Sequence, residues 1–304
     1  MNIDLYEKFY SLVKQIPKGM VSTYGDLAIA LGDIVASRAV GKMLSENPSP
    51  FEIPCHRVVM HDGSIGGFTH PEGLRKKIEI LKMEGVEIEN GKIKNFNKIR
   101  FNDFKTDYPL KKIRENEEIL KKNLKLKDTY YEKLIAIDVS YTRRVAFISM
   151  VHLNKNFEIL KIDSKMANIN FPYIPTYLSY REGNAIISVL EEEGLLILDG
   201  QGIMHPRGIG LATYVGIEKN LPSLGIAKSH LVGTIINDSI FIENNQVGWK
   251  IGKYYISPGN LISLKSSKEI AKKILDSGAM LIAHKNATDL RNKYCSSNNC
   301  GPFT

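Results

Sequence analysis

The spacing of apolar residues divides the chain into two parts. In the first part, to about residue 100, apolar residues recur at helical spacing over 5–16 and again over 74–83. Residues that repeat every three or four positions lie on one face of a helix. The sequence 17–19 (PKG) then predicts the end of the first helix. We therefore expect an α-helical first domain.

In the second part the apolar runs are shorter and typical of strands. Three runs separated by short polar links predict an antiparallel meander: 131–141, 145–153 and 157–163. A later run, 194–200 (GLLILDG), is continuously apolar and ends in an acid, as expected for a buried parallel strand. Helices are predicted over 181–192 and 211–218. The second domain is therefore predicted to be α/β with a mixed sheet.

The length of 304 residues fits two domains. Residues 93–108 show no strong period, and a Lys- and Glu-rich helix predicted over 111–127 is expected to be solvated. We place the first domain at 1–100, a linker at 101–107 and the second domain at 108–304.

The charge and cysteine content narrow the choice of partner and compartment. A net charge of +8 favours an anionic partner, and nucleic acid is preferred to a membrane because no long apolar segment exists. No secretory signal is recognised. Three cysteines cannot all pair, so we expect a reducing, cytoplasmic location. Cys295 and Cys300 lack a second pair of ligands, so they are read as free thiols or an optional bridge rather than a zinc site.

Two short predicted helices, over 21–28 and 37–44, are joined by a turn at Gly32. This is the pattern of a helix-turn-helix, whose second helix lies against a nucleic-acid groove. Arg38 and Lys42 are one turn apart and so share a face of that helix. A solvated helix pair without a nucleic-acid role is the competing interpretation.

The sequence 54–59 (PCHRVV) contains a candidate nucleophile. Pro54 fixes its own φ and so presents Cys55 at a defined bend. Only the thiolate is strongly nucleophilic, and a polarised neighbour lowers a thiol pKa. His56 is next in sequence, although adjacency does not establish contact. A buried structural cysteine is the competing interpretation.

Residues 1–100 resemble the active-site domain of O6-alkylguanine-DNA alkyltransferases. The matching positions are Tyr24, 37–41 (SRAVG), 47–48 (NP), 54–59 (PCHRVV), 66–68 (GGF) and 83–85 (MEG). The resemblance implies an irreversible, stoichiometric transfer of the alkyl group from guanine to Cys55, with no cofactor. By position, His56 and Glu84 would relay the proton and Asn47 would brace the active-site turn.

The same resemblance implies that Tyr24 and Arg38 rotate the damaged nucleotide out of the duplex, because the reactive oxygen is inaccessible inside it. The sequence departs from the family in the nucleotide-binding loop. Phe68 stands where a tyrosine is usual, and the loop at 69–72 (THPE) is longer by about two residues. These departures bear on substrate preference more than on the chemistry.

In the second domain, Asp138 and Asp199 lie within or at the end of predicted buried strands. A buried acid is costly unless it is paired or binds a cation. Glu182 begins a predicted helix and could approach them. Three converging carboxylates would suit Mg²⁺, which can activate water and stabilise the leaving oxygen of a phosphodiester. The competing interpretation is that each acid is salt-bridged or faces solvent.

Other residues are candidates for contacts with phosphate and bases. The turn containing Gly200 and Gly202 allows close backbone approach, and Lys228 ends an apolar strand where it could contact a phosphate. The loop 172–175 (PYIP) is rigid, so Tyr173 could wedge into a base stack. A surface lysine and a packed core tyrosine are the competing interpretations.

From about residue 108 to the end, the chain resembles endonuclease V, the deoxyinosine 3′ endonuclease. The matching stretches are 137–141 (IDVSY), 171–175 (FPYIP), 178–182 (LSYRE), 199–207 (DGQGIMHPR) and 225–228 (GIAK). The resemblance implies an RNase H-like fold and Mg²⁺- or Mn²⁺-dependent cleavage of the second phosphodiester 3′ to deoxyinosine.

The same resemblance implies roles by position. Asp138, Glu182 and Asp199 would be metal ligands, Tyr173 the wedge and Lys228 a catalytic-site lysine. Backbone groups near Gly200 and Gly202 would form the pocket for the lesion base. The family usually completes its site with a late Asp or His, and this position aligns with Asn292, with Asp289 nearby. That role is left unassigned.

Together these patterns predict a bifunctional DNA-repair protein. Its expected partner is double-stranded DNA that carries alkylated guanine or deoxyinosine, with inosine-containing RNA as a second candidate and no membrane. The alternative is a lesion-recognition module without alkyl transfer, fused to an RNase H-like nuclease that acts on RNA or branched DNA.

Overall fold

The structure of the protein is a computed structural model, and it describes residues 3–50 and 52–298. Cys300 therefore lies outside the described residues. The chain forms two compact units: Ile3–Glu115 with Asn170–Pro175, and Asn116–Ile169 with the chain from Thr176 onwards. The boundaries expected from the sequence, 1–100, 101–107 and 108–304, stay a prediction. No helix of the described ranges is long and apolar enough to span a bilayer.

The first unit is mainly helical. Its helices and strands are, in chain order, α1 (Leu5–Val13), β1 (Ser22–Thr23), α2 (Tyr24–Leu31), α3 (Ser37–Ser45), β2 (Val58–Val59), α4 (Gly73–Met83), β3 (Ile88–Glu89), β4 (Lys92–Ile93), α5 (Phe96–Ile99) and α6 (Pro109–Lys121). The chain passes from the first unit to the second within α6. The helix expected over 111–127 is α6, which begins and ends earlier than predicted.

Helix α1 buries the predicted apolar stripe. Leu5, Phe9 and Val13 are buried, and the Asp4 carboxylate caps the helix by accepting the backbone N–H of Glu7. The helix ends at Val13, so the predicted end at Ile16 was wrong. After Val13 the backbone continues in tighter turns that still bury the Ile16 side chain.

The predicted helix-turn-helix is confirmed as α2, a 3₁₀ turn at Ile34–Ala36, and α3. Thr23 and Asp26 cap α2 reciprocally, each accepting a backbone N–H of the other. Helix α2 stops at Gly32, whose φ of +105° favours a residue without a Cβ. Arg38 is exposed on α3.

A short parallel pairing connects the two parts of the first unit that carry its site. Ser22 of β1 pairs with Val58 of β2, and Thr23 pairs with Val59. Because Tyr24 follows β1 and the stretch 55–57 precedes β2, this pairing fixes the start of α2 beside the cysteine turn. Val21 and Val59 belong to a small apolar cluster that supports the pairing.

The second unit contains a nine-stranded mixed sheet in the order β10-β11-β12-β13-β9-β8-β5-β6-β7. Its elements are β5 (Leu134–Tyr141), β6 (Val145–Leu153), β7 (Ile159–Asn168), α7 (Asn184–Val189), β8 (Leu195–Leu198), α8 (Leu211–Lys219), β9 (Ser223–Ala227), β10 (Thr234–Ile236), β11 (Ser239–Ile242), β12 (Asn245–Ile251), β13 (Tyr254–Asn260), α9 (Leu264–Ser277) and α10 (Ala279–Asn298). Strands β5, β8 and β9 are parallel, and the other pairs are antiparallel.

Most of the predicted second domain is confirmed. Strands β5, β6 and β7 form the expected antiparallel meander, and β8 is the buried parallel strand. Strand β7 starts later and runs further than predicted. The helix expected over 181–192 is present with other bounds: a π-helical turn at Ser179–Gly183 leads directly into α7, which ends at Val189. Strands β10–β13 and helices α9 and α10 were not predicted.

Helix α10 packs against β5 and β6. Leu134 and Ala136 of β5 share an apolar cluster with Ala279 and Ala283 of α10. Alternate residues of a strand point to the same face, so Asp138 lies on the α10 side of β5. Small alanine side chains allow α10 to approach the sheet closely, and this placement determines which helical residue meets Asp138.

Candidate active sites

Cys55 begins a 3₁₀ turn, Cys55–Arg57, directly after Pro54. Its backbone N–H donates to the carbonyl of Ile53 at 2.7 Å, and the Asn47 amide donates to the same carbonyl at 2.9 Å. Asn47 also accepts the backbone N–H of Ser49 through Oδ1. Asn47 thus links the two sides of the bend, and Cys55 is half-buried with a free thiol.

Glu84 binds both residues that follow Cys55. Nε2 of His56 lies 3.0 Å from Glu84 Oε1, and Arg57 forms a two-pronged ion pair with both carboxylate oxygens at 2.7–2.9 Å. Glu84 caps the end of α4, as predicted. The opposing effect of burial is outweighed by Arg57 and His56, so the pKa of Glu84 is lowered. Burial lowers the pKa of His56, against the raising effect of Glu84.

Lys77 is a buried residue of this site that the sequence reasoning missed. Its ammonium donates to the carbonyl of Val58 at 2.6 Å and to that of Gly67 at 3.1 Å. Burial lowers the pKa of Lys77 to about 8, against the opposing effect of nearby Cys55. The lysine thus ties β2 to the loop that carries Phe68. In the sequence it looks like one of several solvated lysines of α4.

The candidate DNA-contacting residues differ in how exposed they are and in what they contact. Burial and then the charge of Cys55 raise the pKa of Tyr24, which is therefore close to the thiol. Phe68 is half-buried, and its ring stacks on His70 with centroids 5.9 Å apart. Arg38 is exposed on α3. The unit therefore brings Tyr24, Asn47, His56 and Glu84 around the cysteine turn and leaves Arg38 at the surface.

In the second unit, three side chains meet at the carboxyl ends of parallel strands. Ile137 of β5 pairs with Leu198 of β8, so Asp138 and Asp199 are the next residues of neighbouring strands. Leu198 in turn pairs with Gly225 of β9, and Lys228 follows β9. Lys228 donates to the Asp199 carboxylate. Parallel strands end at the same sheet edge, which explains why these residues meet.

His284 completes this group, and the sequence reasoning missed it. Its Nδ1 lies 2.6 Å from Oδ2 of Asp138, and the His284 side chain is exposed on α10. Asp138, Asp199 and His284 each offer one ligand atom within 4.8 Å of the others. Asp289 is exposed, and Asn292 accepts from Arg291. The family's late Asp or His was the available signal, but the alignment reached Asn292, about two turns further along α10.

Glu182 is buried in the π-helical turn near these acids. Burial, and then the charge of Asp138, raise its pKa to about 8. Burial and the charge of Asp199 likewise raise the pKa of Asp138. Glu182 is not one of the three residues whose ligand atoms lie within 4.8 Å of one another. Its predicted role as a direct ligand stays a prediction.

This donor set fits a divalent cation. Carboxylate oxygens suit Mg²⁺ and Mn²⁺, and an imidazole nitrogen is a common ligand of transition metals. Asp138 and Glu182 are buried, and burial together with the charge of neighbouring acids raises the pKa of both, so an added positive charge would favour both ionised carboxylates. Asp138, Asp199 and His284 would therefore hold such an ion, with Glu182 beside it.

The glycine turn after β8 is packed backbone to backbone. A Cβ on Gly202 would lie 2.1 Å from the carbonyl oxygen of Pro258, and one on Gly225 would lie 2.3 Å from that of Gly200. Only glycine fits such approaches.

Tyr173 is 57% exposed, so the alternative of a packed core tyrosine was wrong.

Arg207 anchors the segment that follows this turn. Its guanidinium pairs with the buried Glu117, donates to the carbonyl of Thr176 at 2.5 Å and stacks over the ring of Tyr177. Thr176 has a φ of +68°, an unfavourable value for a β-branched residue. The conformation persists because Arg207 holds it on two atoms.

Comparison with known proteins matches a different family to each part of the chain. The model of "Endonuclease V" matches residues 116–281, and that of "6-O-methylguanine DNA methyltransferase, DNA binding domain" matches residues 4–86. A bifunctional methyltransferase/endonuclease of Picrophilus torridus is 46% identical over 88% of this chain and 89% of its own length. The chain belongs to the bifunctional methyltransferase/endonuclease family. It is thus a DNA-repair fusion of a methyltransferase part and an endonuclease part.

Solved structures support the fold of the second unit. Endonuclease V of Bacillus subtilis has a TM-score of 0.55 at 22% identity, covering 64% of this chain and 96% of that one. Endonuclease V of Ciona intestinalis, solved with a DNA that contains inosine, has a TM-score of 0.53 at 20% identity, covering 62% and 100%. The second unit therefore has the endonuclease V architecture with a mixed sheet.

Proposed function

We propose that the protein carries out two separate repair reactions: stoichiometric transfer of an alkyl group from O6-alkylguanine in DNA to Cys55, and cation-dependent cleavage of the second phosphodiester 3′ to deoxyinosine. The observation that supports the proposal is that one chain holds two separate groups of reactive side chains. One is the Cys55 thiol, which is next in sequence to His56, whose Nε2 contacts the Glu84 carboxylate. The other is the cluster of Asp138, Asp199 and His284.

In the first reaction, His56 takes the thiol proton and Glu84 stabilises the imidazolium that forms. The pKa of His56 is lowered, so its imidazole is neutral and able to accept that proton. The Cys55 sulfur then forms a bond to the alkyl carbon, and the bond from that carbon to guanine O6 breaks with its electron pair left on guanine. The guanine takes up one proton, which balances the proton that the thiol lost. Tyr24 and Arg38 extrude the nucleotide, and Phe68 lines its pocket. Because sulfur keeps the alkyl group, each molecule reacts once.

In the second reaction, Asp138, Asp199 and His284 hold the cation and Glu182 adds negative charge beside it. A bound Mg²⁺ or Mn²⁺ supplies water activation and stabilises the leaving oxygen. Lys228 orients Asp199 and offers a positive charge to the scissile phosphate. Tyr173 fills the gap left by the flipped lesion base, which backbone groups near Gly200 and Gly202 bind. The resemblance to endonuclease V also supports the proposal of an RNase H-like fold for the second unit.

Paired variants test the independence of the two reactions. Cys55→Ala should abolish alkyl transfer and leave nicking of a deoxyinosine duplex intact, and Asp138→Ala should do the reverse. A chelator should stop only nicking. Loss of both activities in one folded variant would contradict separate sites.

Labelled substrates decide between the proposal and its alternatives. An oligonucleotide with a labelled O6-alkyl group should leave its label on Cys55. A protein that binds it without taking the label would be a lesion-recognition module. Cleavage rates on inosine DNA, inosine RNA and undamaged branched DNA should rank inosine DNA first, and a preference for RNA or branched DNA would contradict the nuclease assignment.

A further inference from the structure

A second group of potential metal ligands lies on the other face of the nine-stranded sheet. Val151 and Leu153 of β6 point toward the cluster that contains α10 residues, so His152 between them points away from it. There His152 meets Asp163 of β7 and Glu192, which follows α7. Each offers one ligand atom within 4.8 Å of the others. None of the three belongs to the Asp138 site.

His152 is buried without a hydrogen bond. Only 2% of the residue is exposed, and neither ring nitrogen has a hydrogen-bond partner among the described residues. Oδ2 of Asp163 lies 3.0 Å from Nε2, and Oε2 of Glu192 lies 3.7 Å from Nδ1. The contact to Asp163 is short enough for a hydrogen bond but does not lie along a ring N–H. Buried polar groups are rarely left in this state, so the imidazole requires an explanation.

Two lysines now neutralise the carboxylates. Lys161 lies 2.8 Å from Asp163 and 2.5 Å from Glu192, and Lys133 also pairs with Glu192. The side chains of Lys133 and Lys161 are 36% and 49% exposed, and long flexible stems allow them to turn into water. These ion pairs satisfy the acids, and the imidazole has no hydrogen bond among the described residues.

We propose that His152, Asp163 and Glu192 form a Zn²⁺ site, which a cation occupies in exchange for the two lysine contacts. One imidazole nitrogen with two carboxylate oxygens is a donor set of the kind that binds Zn²⁺ at three protein positions and leaves a fourth to water. At the Asp138 site Glu182 places a third carboxylate beside the group, whereas this group holds two carboxylates, so Zn²⁺ suits it better than Mg²⁺. The ion would join β6, β7 and the segment after α7. This site is independent of the proposed nuclease chemistry.

Calorimetric titration of the full-length protein with Zn²⁺ tests the site. Zinc can also enter the Asp138 site, so the decisive quantity is the change in the number of equivalents bound. His152→Gln should lose one equivalent. The exposed His61 of the first unit offers a matched control, and His61→Gln should lose none.

Two further variants keep the test valid if the buried histidine cannot be replaced without unfolding. Glu192 is partly exposed, so Glu192→Gln should fold and weaken the affinity of this equivalent at least about 10-fold. Lys161→Gln removes a competing ammonium and should strengthen it. If the wild type and His152→Gln bind the same number of zinc ions, or if zinc binds only once Lys161 is replaced, the cluster is an ion-pair network and the proposal is wrong.

Discussion

Nδ1 of His284 lies 2.6 Å from Oδ2 of Asp138, joining α10 to the strand that carries the central acid of the nuclease site. We expect His284→Ala to lower the nicking rate on a deoxyinosine duplex about 100-fold or more, because both a candidate ligand and the partner of a buried acid are lost. Alkyl transfer by the same variant should be unchanged. Initial rates at saturating Mg²⁺ measure the first effect.

The matched control is Asp289→Ala, which changes an exposed acid on the same helix. It should retain nicking within about twofold, since surface substitutions away from a site have small effects. If Asp289→Ala or Asn292→Ala removed nicking while His284→Ala did not, the role would belong to the position inferred from the sequence.

Glu84→Gln tests the proton relay. The amide keeps the shape of the side chain but removes the charge that stabilises protonated His56 and pairs with Arg57. Single-turnover alkyl transfer should slow about 100-fold, the lower range for loss of acid–base assistance. Glu79→Gln, on the same helix but exposed, should react at the wild-type rate. Equal rates for both variants would show that Glu84 is only structural.

The pH dependence of alkyl transfer follows from the lowered pKa of His56. The ordinary pKa of histidine is 6.5. Because the pKa of His56 is lower than this, its imidazole is still neutral and able to accept a proton at pH 6.5. The rate constant should hold from pH 8 down to about 6.5 and fall only at lower pH. Glu84 raises the pKa of His56, so Glu84→Gln should move the fall further toward acid. A midpoint above pH 6.5 in the wild type would contradict this assignment.

Asp26 contributes a pH-dependent stability to the first unit. Burial opposes its ionisation, but Arg100 and Thr23 together lower its pKa below the ordinary 3.8. A group with a lowered native pKa stabilises above its unfolded pKa and loses that contribution as the pH falls through the native value. The unfolding free energy of the first unit should therefore decline below pH 3.8.

Denaturant unfolding of Asp26→Asn checks this contribution. The substitution should cost about 1–3 kcal/mol at pH 7, because it weakens hydrogen bonds to a charged partner. The variant should lose less stability than the wild type between pH 4 and pH 2. An unchanged pH dependence would mean that Asp26 contributes nothing through its charge.

Short motifs were sufficient where function depends on residues that are local in sequence. Pro54 and Cys55 are adjacent, and Thr23 and Asp26 cap the helix that begins between them, so neighbouring residues determine the bend and the start of α2. Asp138 and Asp199 were recognisable because each interrupts or ends an apolar run. Their meeting followed from parallel pairing, since adjacent parallel strands end at one edge.

Other features depend on how distant elements pack. Lys77 is indistinguishable in sequence from its solvated neighbours, and only the packing of α4 against β2 and the 66–67 loop buries its ammonium against the carbonyls of Val58 and Gly67. The π-helical turn at Ser179–Gly183 places Glu182 where an ordinary helix was expected.

The amino-acid sequence by itself determined which residues are the candidates of both parts, because a cysteine beside a histidine and acids in apolar strands can be recognised from side-chain type and spacing. The resemblance to known families then supplied their proposed roles. Only the tertiary structure decided that His284 meets Asp138. Which side chain of α10 reaches that acid depends on the position of the helix along β5 and β6, which the packing of its alanines sets. No local sequence pattern encodes that position.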